Sequence, residues 1–128
     1  MSAIDLLSPP DERAVARGIA LFADLVRQRY GPKLRGVFLF GSRARGDASP
    51  FSDVDLAVIV ADGVDVEKET TRLSGSTYDV LVESGAEVQP WLFRESDWRA
   101  PETSSSSRLI RSAKRDAKAI GASGGDLS

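Results

Sequence analysis

The chain contains neither cysteine nor histidine in its 128 residues. The missing cysteine excludes disulfides, iron–sulfur ligation and thiol nucleophiles, and the missing histidine excludes Ser-His-Asp triads. Zinc sites built from cysteine or histidine are excluded for the same reason. The chemistry that remains belongs to carboxylates, lysine, arginine, tyrosine and hydroxyl groups. Carboxylate oxygens are hard ligands that suit Mg²⁺ or Mn²⁺.

Long apolar runs are also missing. No stretch approaches the roughly 20 apolar residues that a transmembrane helix needs, and the beginning, "MSAIDLLSPPDERAV", does not resemble a secretory signal. We therefore expect a cytoplasmic protein without membrane contact. The formal net charge of −2 provides no overall attraction for nucleic acid, so any phosphate binding must be local.

The length and composition predict one ordinary globular domain. The chain is 41% hydrophobic and 28% charged, and 128 residues suffice for one domain but not for two. We expect this domain to span residues 1–120. The glycine- and serine-rich end, residues 121–128, is expected to be a flexible tail.

The hydrophobic pattern predicts alternating helices and strands. A long amphipathic helix is expected within "SPPDERAVARGIALFADLVRQRYGP", followed by strands over residues 36–41 and 53–61. "VDVEKETTRLSG" predicts a short exposed helix, and the alternation in "TYDVLVES" predicts a third strand over 77–84.

The last third of the chain is expected to complete the fold. An extended piece interrupted by Pro90 follows, with Trp91, Phe93 and Trp98 covering a core edge. A closing helix is expected within residues 101–121. This order predicts the α/β (α+β) class, with a small mixed β-sheet and helices packed on it.

A glycine-serine turn follows the first predicted strand. Gly41 ends that strand, and Ser42 begins what we expect to be a short helix through Arg45. Glycine allows close approach to the backbone, and amides at a helix start can hold phosphate oxygens. An ordinary tight turn would leave the same pattern.

Two aspartates begin the second predicted strand. Asp53 and Asp55 are two residues apart, so their side chains point to the same side of the strand. Two carboxylates that close repel each other, and a shared divalent cation would relieve the repulsion. The alternative is structural, with Asp53 capping the preceding turn while Asp55 pairs with a nearby arginine.

Together these elements resemble a known family. The segment "FGSRARGDASPFSDVDLAV", with ten residues between Ser42 and Asp53, is similar to the signature of the minimal nucleotidyltransferases of the DNA polymerase β-like superfamily. The resemblance implies a polymerase β-like core, in which Gly41 and Ser42 hold the triphosphate of ATP. It also implies that Asp53 and Asp55 ligate two Mg²⁺ ions for in-line transfer of a nucleoside monophosphate.

The resemblance further implies a third metal-binding carboxylate on a neighbouring strand. The predicted register of residues 77–84 points to Asp79 as this catalytic and metal-binding residue. Glu83 shares the same strand face but would lie about 13 Å farther along it. Because histidine is absent, a carboxylate or the substrate's own phosphates must serve as the base.

Two arginines follow the turn and have two interpretations. Arg43 and Arg45 could neutralise the charge of the triphosphate or of the leaving pyrophosphate. Alternatively, Arg45 pairs with Asp47 or Asp53 and only shapes the loop.

The acceptor is the least constrained part of the prediction. Larger relatives carry an extra domain that grips the acceptor, whereas minimal members are often paired with a helical HEPN-type toxin. The resemblance therefore implies an antitoxin that transfers AMP to such a partner protein. A binding module without catalysis, and a transferase acting on a small molecule or an RNA 3′ end, remain alternatives; the near-neutral charge argues against RNA.

Overall fold

The computed structural model describes residues 9–121. The helices are α1 (Glu12–Tyr30), α2 (Ser42–Arg45), α3 (Val66–Ser84), α4 (Glu95–Arg99) and α5 (Ser107–Asp116). The strands are β1 (Leu34–Phe40), β2 (Val54–Val60), β3 (Val88–Arg94) and β4 (Lys118–Ala119). No helix within the described range is long and apolar enough to cross a bilayer. The predicted tail, apart from Gly121, lies outside the described residues.

Helix α1 has the boundaries that its sequence dictates. The Asp11 carboxylate caps it by accepting a hydrogen bond from the Ala14 amide at 2.8 Å. Gly31, with φ of +52°, ends it in a backbone conformation that favours glycine. Phe22 and Val26 lie one turn apart on its buried face. The predicted first helix is therefore confirmed.

The four strands form one mixed sheet in the order β3-β2-β1-β4. Strand β1 is antiparallel to both β2 and β4, whereas β2 and β3 are parallel. A parallel pair requires a crossover connection, and α3 supplies it between β2 and β3. The predicted class, a small mixed sheet with packed helices, is confirmed.

Helices cover both faces of the sheet. One face of β2 is apolar throughout, and it packs in a core with Phe22 of α1 and Leu73 of α3. The other face carries Ala57 and Ile59, which pack with Trp98 of α4 and Ile110 of α5. Because side chains alternate along a strand, Asp53 and Asp55 belong to this second face, at its open beginning.

The prediction of a strand over residues 77–84 was wrong, because these residues form the second half of α3. The buried residues of this helix, Leu73, Val80 and Ser84, repeat at helical spacing rather than at every second position. Tyr78 is exposed although it shares the alternating pattern with Val80. The helix predicted from "VDVEKETTRLSG" is real and continues to Ser84.

The extended piece around Pro90 is the third strand, β3. Pro90 is tolerated there because β3 lies at an edge of the sheet. Trp98 stacks on Phe93 with ring centroids 5.8 Å apart, so these aromatics cover a core edge as expected. The closing helix is shorter than expected: α5 ends at Asp116, and β4 then pairs with β1.

Candidate nucleotide-binding site

The Gly41 turn connects β1 to the single turn of helix α2. Its carbonyl accepts hydrogen bonds from the amides of Ala44 and Arg45, both at 3.1 Å. Gly41 has a φ of +77°, and a Cβ placed there would lie 2.6 Å from Oδ2 of Asp55. Glycine is therefore required for two reasons. The backbone conformation disfavours other residues, and the Asp55 carboxylate leaves no space for a Cβ atom. The helix predicted from Ser42 to Arg45 is confirmed.

Sheet register brings Asp55 to this turn. Asp55 pairs with Phe40, the last residue of β1 before Gly41. Its carboxylate is half-buried, and Oδ1 accepts a hydrogen bond from Nε1 of Trp91 at 3.2 Å. Asp53 lies one residue before β2 and is exposed. As predicted, the glycine turn and the Asp55 carboxylate lie together, and they pack directly against each other.

The charge of Asp55 is poorly compensated. Burial raises the pKa of Asp55 above its ordinary value, and the nearby Asp53 carboxylate raises it further. The hydrogen bond from Trp91 and the charge of Arg45 act in the opposite direction. Within residues 9–121, no arginine or lysine forms an ion pair with either aspartate. The alternative in which an arginine neutralises Asp55 is therefore wrong.

Strand β3 adds two polar residues that sequence reasoning missed. Gln89 pairs with Asp55, and Glu87 lies two positions earlier on the same face. The Glu87 carbonyl accepts a hydrogen bond from the Val54 amide at 2.8 Å. Its carboxyl lies beside Asp53, and their hydrogen bond and repulsion raise the pKa of Glu87. In the sequence, the apolar segment that follows Glu87 predicts a strand, and this was the only signal that could have drawn attention to Glu87.

Asp79 is not brought to the site. It lies on the exposed side of α3, and α3 packs on the opposite face of the sheet from Asp53 and Asp55. Because residues 77–84 are helical, the strand register from which Asp79 was predicted does not exist. Glu83 also lies on α3, where its carboxylate is 3.5 Å from the Arg17 guanidinium.

Both arginines after the turn are engaged by the chain itself. Arg43 donates through Nε and Nη2 to the Ser52 carbonyl, at 3.1 and 2.9 Å, and through Nη2 to the Pro50 carbonyl at 3.2 Å. Arg43 thus braces the loop between α2 and β2.

Arg45 forms ion pairs that tie the loop to the end of helix α5. Its Nε lies 3.2 Å from Asp47, and its Nη1 lies 2.8 Å from Asp116. The predicted pairing of Arg45 with Asp47 is confirmed, whereas Asp53 forms no such pair with Arg45.

A divalent cation fits the carboxylates at the turn. Asp53 and Asp55 share a sheet face, repel each other and present hard oxygen ligands. In residues 9–121, no group of three His, Cys, Asp or Glu side chains is arranged to hold an ion. A cation shared by the two aspartates would therefore need further oxygen ligands, such as phosphate or water.

Comparison with known proteins agrees with this geometry. The family model of the nucleotidyltransferase domain matches residues 19–117. The chain is 43% identical over 49 residues, 38% of its length, to "Putative protein adenylyltransferase MJ1305" of Methanocaldococcus jannaschii. The match spans only about a third (33%) of that relative.

Two solved structures share the fold. A chain of a toxin–antitoxin complex crystallised with AMP-PNP superposes with a TM-score of 0.55 and 22% identity, over 80% of this chain and 72% of that one. A mutant of the toxin–antitoxin complex MntA–HpeT gives a TM-score of 0.51 and 21% identity, with the same coverage of 80% and 72%. On the basis of the family match over most of its length, the chain belongs to the nucleotidyltransferase domain family.

Proposed function

We propose that this protein is a Mg²⁺-dependent nucleotidyltransferase that moves AMP from ATP to a hydroxyl group of a protein partner. The observation that carries the proposal is the contact between the Asp55 carboxylate and the Gly41 turn. A turn that binds phosphate and a carboxylate that binds a metal ion can act on the same ligand if that ligand carries both a phosphate group and a metal ion. A nucleoside triphosphate with its cation is such a ligand.

The turn would hold the phosphates. The backbone amides of Ser42 and Arg43 and the hydroxyl of Ser42 can donate hydrogen bonds to phosphate oxygens. The absence of a side chain at Gly41 allows a phosphate to approach the backbone closely. The bracing of the loop by Arg43 would keep this turn and Asp53 at a fixed separation.

The aspartates would hold two Mg²⁺ ions. Asp53 and Asp55 are the primary ligands, and oxygens of phosphate or water would complete the coordination. Glu87 lies beside Asp53 and would replace Asp79 as third carboxylate if its side chain turned toward the ions. When bound, the ions neutralise charge on the triphosphate and on the leaving pyrophosphate. Trp91 would orient the Asp55 carboxylate by its hydrogen bond to Oδ1.

The reaction requires one proton transfer. The acceptor oxygen attacks the α-phosphorus, the bond from that phosphorus to the bridging oxygen breaks, and pyrophosphate leaves. The hydroxyl proton passes to a carboxylate, since the chain has no histidine. Glu87 is placed for this step because its carboxyl lies beside Asp53.

A protein acceptor is supported by three observations, and the family resemblance suggests a HEPN-type toxin. The relative from Methanocaldococcus jannaschii is described as a protein adenylyltransferase, and the chains with similar folds come from toxin–antitoxin complexes. In addition, the Phe51 side chain is 71% exposed on the braced loop, two residues before Asp53. An exposed aromatic at the rim of the site is a typical anchor for a protein surface.

A second function, nucleotide or partner binding without catalysis, is favoured by one observation. Gln89, an amide, stands directly opposite Asp55 on the neighbouring strand. If Glu87 does not complete the metal site, the chain would bind the nucleotide without transferring it.

Labelled ATP distinguishes the two functions. The full chain is incubated with Mg²⁺, ATP labelled on the α-phosphate, and the protein with which it copurifies. Transfer predicts label on the partner that disappears in Asp53→Ala and persists in the matched control Asp79→Ala. Equal label with wild type and Asp53→Ala would refute catalysis, and partner binding without label would favour the second function.

A further inference from the structure

A second charged cleft lies at the opposite end of β2 from the glycine turn. Its volume is about 470 Å³, and it lies between the end of α1 and the beginning of α3. Asp55 and Val60, near the two ends of β2, are five residues and therefore about 17 Å apart. The cleft is thus separate from the proposed catalytic site.

Four cationic side chains line this cleft against two carboxylates. The cations are Arg29, Lys33, Lys68 and Arg72, and the carboxylates are Asp65 and Glu69. Such an excess of positive charge is unusual for a chain whose formal net charge is −2. The cleft therefore attracts anions although the whole protein does not.

Both carboxylates already interact with other groups of the protein. Glu69 lies 2.7 Å from Nε of Arg29 and 3.4 Å from Nη1 of Arg72. The Asp65 side chain caps α3 by accepting a hydrogen bond from the Lys68 amide at 3.2 Å. Each arginine contacts Glu69 through a single nitrogen, so each retains further N–H donors.

The two lysines of the cleft differ from the arginines in their ion pairing. Among the described residues, no carboxylate forms an ion pair with the ammonium group of Lys33 or Lys68. The beginning of the 19-residue helix α3 adds the positive end of its dipole to the same cleft. The last turn of α1 brings the negative end of the α1 dipole to the cleft, and the positive charge of Arg29 in that turn offsets it.

A buried hydroxyl group in the cleft lacks a good acceptor. Tyr30 lines the cleft and is only 7% exposed, and its hydroxyl forms no hydrogen bond of good geometry. The acceptor that it approaches is the Glu69 carboxylate, which Arg29 and Arg72 already share. Burial and the interaction with Glu69 raise the pKa of Tyr30 to about 12. The phenol is therefore a protonated donor at neutral pH, and buried donors without an acceptor are rare in folded proteins.

We propose that this cleft binds the phosphate group of a small ligand such as a nucleotide, at a site separate from the Gly41 turn. Lys33 and Lys68 supply the charge, and the Tyr30 hydroxyl donates to a phosphate oxygen. The volume of the cleft is within the range of small-molecule sites. Because the site shares no residue with the proposed catalytic centre, either proposal can fail without the other.

Site-resolved NMR titration tests the proposal. Inorganic phosphate, and in a second arm ATP, is added without divalent metal to the full chain labelled with ¹⁵N. Both ligands are expected to shift the amides of Gly63, Val64 and Lys68. Tighter binding of ATP would show that more than the phosphate is recognised, whereas equal binding would restrict recognition to the phosphate.

Charge reversal and a conservative substitution make the test decisive. The double substitution Lys33→Glu and Lys68→Glu should weaken binding at least about tenfold, because it turns two attractions into repulsions. Tyr30→Phe should weaken it severalfold without changing charge. The double substitution Arg111→Glu and Arg115→Glu, at exposed positions of α5 across the sheet, is the matched control and should have no effect. Absence of shifts at the cleft, or equal weakening by the control, would overturn the proposal.

Discussion

The two faces of strand β2 show how one segment serves two purposes. On one face, Val54, Leu56, Val58 and Val60 are fully buried beneath α1 and α3. The other face is equally apolar at Ala57 and Ile59, but its beginning carries the exposed Asp53 and the half-buried Asp55. Packing therefore fixes the position of the strand, and the polar end of one face is where the proposed chemistry would take place.

The largest expected effect lies on the apolar face. Leu56→Ala should lower the free energy of unfolding by about 2–5 kcal/mol, because it opens a cavity at a fully buried position. Val82→Ala, on the exposed side of α3, should change it by less than about 0.5 kcal/mol. Chemical denaturation measures both. A small loss for Leu56→Ala would contradict the assignment of this face to the core.

Asp55→Asn should separate stability from activity on the other face. The rate of nucleotidyl transfer should fall about 10²–10³-fold, as it does when one group that stabilises transition-state charge is removed. The fold should persist, since the substitution also removes repulsion from Asp53. Steady-state kinetics and thermal unfolding check the two expectations. Parallel loss of activity and folded protein would mean that Asp55 is mainly structural.

Two glycines with positive φ allow a comparison. Gly46→Ala introduces strain alone, about 1–2 kcal/mol, because the backbone is left-handed, with φ of +84° and ψ of 13°, and a new Cβ would meet nothing within 4 Å. Gly41, with φ of +77° and ψ of −158°, lies in a region that is essentially restricted to glycine. Gly41→Ala adds the contact with Asp55 Oδ2 at 2.6 Å to this greater strain. It should therefore destabilise the protein more and weaken ATP binding. Equal effects in denaturation and titration would show that the carboxylate does not depend on the turn.

The pH dependence of stability should reveal the uncompensated carboxylate. Because burial raises the folded-state pKa of Asp55, the folded protein holds its proton more tightly than the unfolded chain does. The contribution of Asp55 to the free energy of unfolding is therefore greatest below the unfolded pKa, and it is lost as pH rises through the folded pKa. Asp55→Asn should remove this decline. Denaturation curves across acidic pH test it, and an unchanged slope would contradict the shift.

Trp91→Phe should have the smallest effect. It removes the indole donor to Asp55 Oδ1 and should cost about 1 kcal/mol of stability. Because that hydrogen bond lowers the pKa of Asp55, the pKa should rise further. An NMR titration of the Asp55 carboxyl carbon measures the change, and a fall in the pKa would contradict the assigned role.

Local patterns predicted the parts of this fold that local physics controls. The first helix, the glycine turn at Gly41 and the strand that follows Asp53 depend on near neighbours in sequence. The carboxylate nearest to Asp53, that of Glu87, depends instead on which distant strand pairs with β2. Residues around Asp79 alternate in polarity by coincidence, and tertiary packing of Leu73 and Val80 keeps them in a helix.

The position of Glu87 could not be predicted from the sequence for the same reason. Its place beside Asp53 follows from the parallel register of β3 with β2, and no local motif encodes that register. The roles of the two arginines could be predicted only in part, because the pairing of Arg45 with Asp47 is local. Asp116, the second partner of Arg45, lies 71 residues away in sequence.

Paramagnetic broadening by ATP bound to Mn²⁺ tests the central claim most directly. If the turn and the aspartates form one nucleotide–metal site, amide signals from residues 41–43 and 53–55 should broaden together, and Asp55→Asn should abolish the effect. Signals from residues 76–83 on α3 should broaden less, because these residues lie across the sheet from the aspartates. Broadening centred on α3, or none at the turn while ATP still binds, would contradict the account.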